Sequence, residues 1–192
     1  MSNKIIKHAS ALAVLATISA PALAEDSLNY NYLSASYLDT RLDDPDLDGD
    51  GIDLRGSVEV SDSLFFTAGY ASQSFDFDID LNQWSVGIGG HLPLSDRLDL
   101  VGTVSYVDAE IETDFGSDDE NGFGTSVGLR AALASNFELE GGISYLDLGD
   151  AGDDTTLNLG ARYYFSPEFA LGAGVSAGDD VTTWNLGVRF EF

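Results

Sequence analysis

Residues 183–192 read Thr183-Trp184-Asn185-Leu186-Gly187-Val188-Arg189-Phe190-Glu191-Phe192, and the even positions are Trp, Leu, Val, Phe and Phe while the odd ones are Thr, Asn, Gly, Arg and Glu. Alternation with period two sustained over ten residues describes a strand with one wholly apolar face. The same split recurs upstream: Leu157, Leu159, Ala161, Tyr163 and Phe165 stand against Asn158, Gly160, Arg162 and Tyr164, and Phe123, Val127, Leu129, Ala131 and Leu133 against Gly124, Ser126, Gly128 and Arg130. No helical apolar period competes with it between residues 25 and 192.

Working outward, about ten such segments are expected, at 28–38, 51–60, 64–75, 81–92, 97–112, 122–133, 137–147, 155–165, 169–177 and 181–192. Their connections alternate in kind. Ser61-Asp62-Ser63, Pro93-Leu94-Ser95-Asp96, Ala134-Ser135-Asn136 and Ser166-Pro167-Glu168 read as tight turns, whereas 39–50, 76–80, 113–121, 148–154 and 178–180 read as acidic and mostly longer loops. An antiparallel up-and-down order would gather the turns at one end and the acidic loops at the other. Pro45, Pro93 and Pro167 all fall in connections, so no ladder is expected to be interrupted.

A soluble sandwich or lipocalin-like barrel would bury the apolar face, and an outer-membrane barrel would turn it to lipid. The polar faces favour the second, because they carry Gly87, Gly89, Gly124, Gly128, Gly142, Gly160, Gly172, Gly174 and Gly187, small residues suited to a crowded interior. Aromatics agree. Tyr70, Trp84, Tyr106, Tyr145 and Trp184 fall near the loop end, and Phe66, Phe137, Phe165, Phe169, Phe190 and Phe192 near the turn end. About eight residues between the two girdles correspond to roughly 20 Å, close to the apolar band of a membrane barrel. The faces of Tyr30, Tyr32, Leu33 and Phe65-Phe66 stay open.

Composition narrows the class further. Lys4 and Lys7, an apolar run from Ala9 to Ile18 and Ala22-Leu23-Ala24 describe a signal peptide over 1–24 cleaved after Ala24, leaving a barrel domain over 25–192. The apolar run is short of the ~20 residues of a spanning helix. Removal of that segment takes both lysines and leaves six arginines against 33 acidic residues, which excludes nucleic-acid binding. Without cysteine there is no disulfide, thiolate metal site, Cys nucleophile or acylated N-terminus. With 44% hydrophobic and 11% aromatic residues the chain is too apolar to remain disordered.

On these residues the chain resembles the small outer-membrane β-barrel superfamily of Gram-negative bacteria, the OmpA-like and porin-family proteins. Asn185-x-Gly187-x-x-Phe190-x-Phe192 resembles the C-terminal signal read by the barrel-assembly machinery, and Leu28-Asn29-Tyr30-Asn31-Tyr32 and Asn82 to Gly89 resemble the Ax-type small proteins of xanthomonads. The resemblance implies an outer-membrane location among lipid and lipopolysaccharide and biogenesis through that machinery and periplasmic chaperones; some such barrels are enzymes, but no enzymatic activity is expected here because the one histidine of residues 25–192, His91, falls near the turn end. Both termini are expected in the periplasm, and no peptidoglycan-binding domain of the OmpA type is expected after Phe192.

Candidate functional residues lie on the polar faces. Arg130, Arg162 and Arg189 share a Ser/Asn-[Val/Leu]-Gly-x-Arg frame, and Arg55 is expected at a similar height. Glu59, Asp99, Glu138, Glu140 and Glu191 share their face and depth, so a belt of interior ion pairs is expected. That belt either bolts the barrel shut or lines a narrow passage for ions or very small solutes; ten strands fall between filled eight-stranded barrels and open porins. His91, the one histidine beyond residue 24, is expected to be an interior or rim polar residue remote from any outer-leaflet catalytic site.

The stretch 43–53, DDPDLDGDGID, begins an EF-hand pattern at Asp44, Asp46, Asp48 and Asp50. It lacks the closing glutamate, since position twelve is Ser57 or Arg55, so a weak Ca²⁺ or Mg²⁺ site or a solvated acidic turn is expected and a sensor is not. Together the acidic loops form an anionic crown that would need divalent cations or salt beside lipopolysaccharide. The function read from these features is an envelope-structural porin-family barrel, with surface interaction through the crown as the alternative.

Overall fold

The computed structural model describes residues 28–43 and 46–192 and, of Asp46, the backbone alone. The expected signal peptide, Asp44 and Pro45 lie outside the described residues. Ten antiparallel strands, β1 (Tyr32–Asp43), β2 (Asp46–Ser61), β3 (Leu64–Phe75), β4 (Ile79–Ser95), β5 (Leu98–Thr113), β6 (Gly116–Ala134), β7 (Phe137–Asp147), β8 (Asp153–Tyr164), β9 (Phe169–Ala177) and β10 (Val181–Glu191), each pair with their neighbours in sequence. The sheet closes where β1 pairs with β10, in register from Tyr32 opposite Glu191 to Leu42 opposite Val181. Each ladder satisfies its backbone groups within the wall, which a lipid environment requires.

Trp184, Leu186, Val188 and Phe190 are exposed on the outside of β10, while Arg189 and Glu191 are buried inside. In the two strands whose faces the sequence left open, Tyr32 and Phe65 point inward and Leu33 and Phe66 outward. The outer aromatics form the two girdles: Tyr70, Trp84, Tyr145 and Trp184 are exposed at one level and Phe66, Phe165, Phe169 and Phe192 at the other. Between them the wall presents Leu54, Val86, Ile88, Val104, Leu159 and Leu186 to the surroundings. This is the apolar band of a membrane barrel.

Several expectations change. Segment 28–38 was expected as one strand, but the strand begins at Tyr32, and Leu28 to Asn31 lie inside the barrel. The acidic loops expected at 39–50 and 113–121 are mostly strand, since β1 and β2 pair up to Asp43 and Asp46 and β5 and β6 up to Thr113 and Gly116. The physical reason is an inner apolar face above the upper girdle. Leu42, Leu47, Phe75, Ile79, Leu81, Val107, Ile111, Leu146, Leu148 and Val181 are buried together there, while Asp39, Asp50, Asp80, Glu112 and Asp153 face out. Burial of each large member stabilises the wall by roughly 1.5–3 kcal/mol, enough to continue the hairpins past the membrane.

The tips are correspondingly short. Phe77 and Asp78 adopt positive φ values of 65° and 55° in the turn between β3 and β4, and a 3₁₀ turn at Gly149–Ala151 joins β7 to β8. At the opposite end the register shifts between Glu59 and Ser61, Pro93 and Ser95, and Ala132 and Ala134, one bulge beside each of three tight turns. Pro93, expected in a turn, sits inside β4 at such a bulge, where the missing N–H breaks no regular pairing.

Candidate functional site: the barrel interior

The interior is filled in layers, beginning at the turn end. Residues 28–31 cross the lumen from β1 to the opposite wall, where Leu28 and Tyr30 pack with Phe65 of β3, Val101 of β5 and Ala132 of β6. Tyr30, fully buried, stacks on Phe65 at 5.0 Å and on His91 at 4.2 Å between ring centroids, and its hydroxyl donates to Asp99 Oδ2 at 2.7 Å. Arg130 lies over the same ring at 4.6 Å and donates through Nη1 to the Asn29 carbonyl at 3.2 Å. Asn31 donates to Glu59 Oε2 at 2.7 Å and accepts from the Glu59 backbone N–H at 2.9 Å. This segment is held by β2, β3, β4, β5 and β6 together and forms a floor.

The charged residues sit at and just above it. Arg130 donates to both carboxylate oxygens of Glu138, through Nε to Oε1 at 2.7 Å and through Nη2 to Oε2 at 3.5 Å. Arg162 donates to the same Glu138 Oε1 at 3.1 Å and to Glu140 Oε1. Arg55 pairs with Asp53 at 2.9 Å. His91 brings Nδ1 to 3.2 Å from Asp99 and Nε2 to 3.8 Å from Glu59. Arg189 stacks on Tyr32 at 4.0 Å, and Glu191 accepts from the Tyr164 hydroxyl at 2.8 Å.

Neighbouring strands make room for these arms. A Cβ at Gly160 would collide with the Glu140 side chain, and one at Gly172 would come within 3.1 Å of Arg162 Cγ.

Above this layer a cavity of about 50 Å³ opens among Ser34, Ser36, Asn158, Ser176 and Asn185, with glycines between them and Glu140, Arg162 and Arg189 beneath. It is followed by a polar tier in which Thr40 donates to Gln73 Oε1 at 2.7 Å and lies 2.9 Å from the Thr183 hydroxyl. The apolar cluster of the outer end completes the filling. Floor, charged layer and outer cluster fill successive levels of the lumen, and the small cavity lies between them.

The residues singled out in the sequence divide accordingly. Arg130, Glu138, Arg162 and Glu140 form one network, and Glu59 and Asp99 gather around the floor. Arg55 takes Asp53, a partner the sequence reading did not select, although Asp53 lies two residues away on the same face. His91, expected as an interior or rim polar residue, lies inside; Tyr30 and Tyr32, whose faces the sequence left open, and Tyr164, read on the polar face of its strand, were not selected as members of the layer, because contact across the lumen leaves no local signal. Asn185 and Gly187 face inward on β10, and Phe190 and Phe192 face outward. Asp48 and Asp50 lie exposed on the outer face of β2, where Asp48 pairs with Arg41 at 2.9 Å. Among the described residues no three acidic or histidine side chains come together as a cation site. Asp44 and the side chain of Asp46 fall outside them.

Residues 10–192 match the family model described as the outer membrane protein beta-barrel domain. Among solved structures, the KdgM porin in complex with disordered oligogalacturonate is similar with a TM-score of 0.51 and 12% identity, covering 83% of this chain and 99% of that one. An outer membrane channel from Pseudomonas putida F1 is similar with a TM-score of 0.51 and 9% identity, over 88% and 98% of the two chains. Ail, the attachment invasion locus protein of Yersinia pestis, follows with a TM-score of 0.44 and 16% identity, over 85% and 100%. No curated protein matches by sequence. The family match spans the whole closed sheet: the chain belongs to the outer membrane protein beta-barrel family.

Proposed function

We propose that this protein is a non-enzymatic structural barrel of the outer membrane whose resting lumen is closed to solutes. The observation that carries the reading is the double closure, Tyr30 clamped among Phe65, His91, Asp99 and Arg130 at one end and the apolar cluster around Leu81, Val107 and Leu146 at the other. His91, committed to Tyr30 and Asp99 at the turn end, is poorly placed for catalysis on an outer-leaflet substrate. The acidic outer walls would meet lipopolysaccharide through screening Ca²⁺ or Mg²⁺, held as diffuse counter-ions. Export in this reading involves cleavage after Ala24 and periplasmic chaperones, and insertion uses recognition of Asn185, Gly187, Phe190 and Phe192 by the barrel-assembly machinery. Planar-bilayer recording tests the closure: the unaltered protein gives no steady conductance step, and a stable channel at neutral pH overturns it in favour of passive permeation.

A second reading, surface interaction, is favoured by Phe77 and Phe115, which stand 81% and 100% exposed on two hairpin tips among acidic residues. Aromatic side chains in that position serve contact better than solubility. Cells carrying the Phe77→Ser/Phe115→Ser double variant would then bind surfaces less well than cells carrying the unaltered barrel; equal binding removes this reading.

A further inference from the structure

Phe77 and Phe115 cap the hairpins β3–β4 and β5–β6, which stand side by side because β4 pairs with β5. Neither ring serves the fold. Phe77 holds a φ of 65°, a conformation in which glycine or asparagine would relax the turn. At the other tip the Thr113 hydroxyl accepts from the Phe115 N–H at 3.3 Å and donates to the Gly116 carbonyl at 3.0 Å, so the turn is held without the ring. Lipid does not cover the rings either. β5 runs on from Tyr106 at the upper girdle to Thr113 before the tip, which places Phe115 roughly 20 Å further out at ~3.3 Å per residue of tilted strand.

The wall beneath the tips indicates what would cover them. On its outer face Asp80 stands directly opposite Glu112, and Glu110 opposite Asp119. Like charges in those positions destabilise the wall until a cation comes between them. Asp76, Asp78 and Asp114 flank the rings, and among the described residues the outer ends of β3 to β6 carry no lysine, arginine or histidine. Such a field repels lipopolysaccharide and acidic polysaccharides and draws in positive charge. A metal ion or a free amine would satisfy the carboxylates but leave both rings in water. The tips are two strand spacings apart, roughly 10 Å, which about three residues of extended polypeptide cover.

We propose that the outer end of β3–β6 docks a basic polypeptide segment, whose arginines or lysines lie on the faces of Phe77 and Phe115 and neutralise the Asp80–Glu112 and Glu110–Asp119 pairs. The proposal rests on the surface-interaction reading above and names the class of partner. Cation–π contact with the two rings adds a short-range attraction to charge pairing that salt alone would weaken.

The test titrates the unaltered barrel, in neutral-detergent micelles at about 0.1 M salt, into fluorescein-labelled octa-arginine and follows polarisation, with octa-glutamate and a glycine–serine octapeptide as controls. Saturable binding of octa-arginine alone is expected, weakened about tenfold in Phe77→Ser/Phe115→Ser and by a similar factor in Asp80→Asn/Glu112→Gln. Unboiled mobility on a denaturing gel checks that each variant is folded. Equal affinity of the unaltered protein and the phenylalanine variant would reduce the interaction to diffuse counter-ion binding and overturn the proposal, as would no binding or equal binding of the controls. If peptide affinity depends on the rings while cells bind surfaces equally well with and without them, the docking site stands and only its adhesive use is lost. If cell binding falls while peptide affinity is unchanged, adhesion stands and the basic partner is overturned.

Discussion

The outer third of β5 and its membrane portion are the same strand with opposite chemistry. Below the upper girdle Val104 and Tyr106 face out and Thr103 and Ser105 face in; above it Asp108, Glu110 and Glu112 face out and Val107, Ala109 and Ile111 face in. β4 does the same, with Ile79 and Leu81 inward beyond Trp84 and Val86 and Ile88 outward below it. The pleat never slips. What changes is the solvent outside, from lipid to water, so the apolar set moves from the outer to the inner face and two adjacent apolar residues, Tyr106 and Val107, mark the boundary. One continuous wall thus holds a membrane barrel and, above it, a small water-type barrel with its own core.

The comparison breaks most severely at the charges. Arg130→Ala leaves Glu138 with only Arg162, and removal of one member of such a buried pair costs about 3–5 kcal/mol. Denaturant titration of the lipid-reconstituted barrel, followed by Trp84 and Trp184 fluorescence, measures it; a loss comparable to a surface change would show that the layer is hydrated. In the outer core, Leu81→Ala creates a void at a site 4% exposed, for about 2–5 kcal/mol. Leu159→Ala on the lipid face should cost well under half as much, because acyl chains refill the space. Equal losses would mean that the upper cluster is not packed as a core.

A smaller pair of changes sharpens where the solvent boundary lies. Val104→Arg should cost about 2–4 kcal/mol in a bilayer, and Asp108→Arg, four residues along the same outer face, about 0–1 kcal/mol. Similar values at both positions, read from the same titration, would move the boundary away from Tyr106. The least effect is expected from Asp48→Ala, which removes an exposed partner of Arg41: about 0–1 kcal/mol, fading as salt is added. A loss that persists at high salt would give the outer wall a rigidity that an exposed pair does not provide.

The membrane portion was legible because alternation is local: TWNLGVRFEF states both faces of β10 without reference to any other strand. The outer portion was legible in principle. Ile79-Asp80-Leu81 and Val107-Asp108-Ala109-Glu110-Ile111 alternate as cleanly, but their inverted phase beside dense aspartate resembles loop. The floor was not legible, since Tyr30 is placed by Phe65, His91, Asp99 and Arg130, which come from four separate parts of the chain. Glu138 carries a related lesson. Its face and depth could be read from period two, but its sharing between Arg130 and Arg162 depends on the registers of β6 with β7 and of β7 with β8.

Closure through β1 and β10 joins the strands that are farthest apart in the chain. While the sheet grows strand by strand, both of its margins carry rows of free amides and carbonyls capable of capturing another copy, and only the final zipping of the seam silences them. The danger of clumping is therefore concentrated in transit, and the finished cylinder offers nothing for a foreign strand to grip.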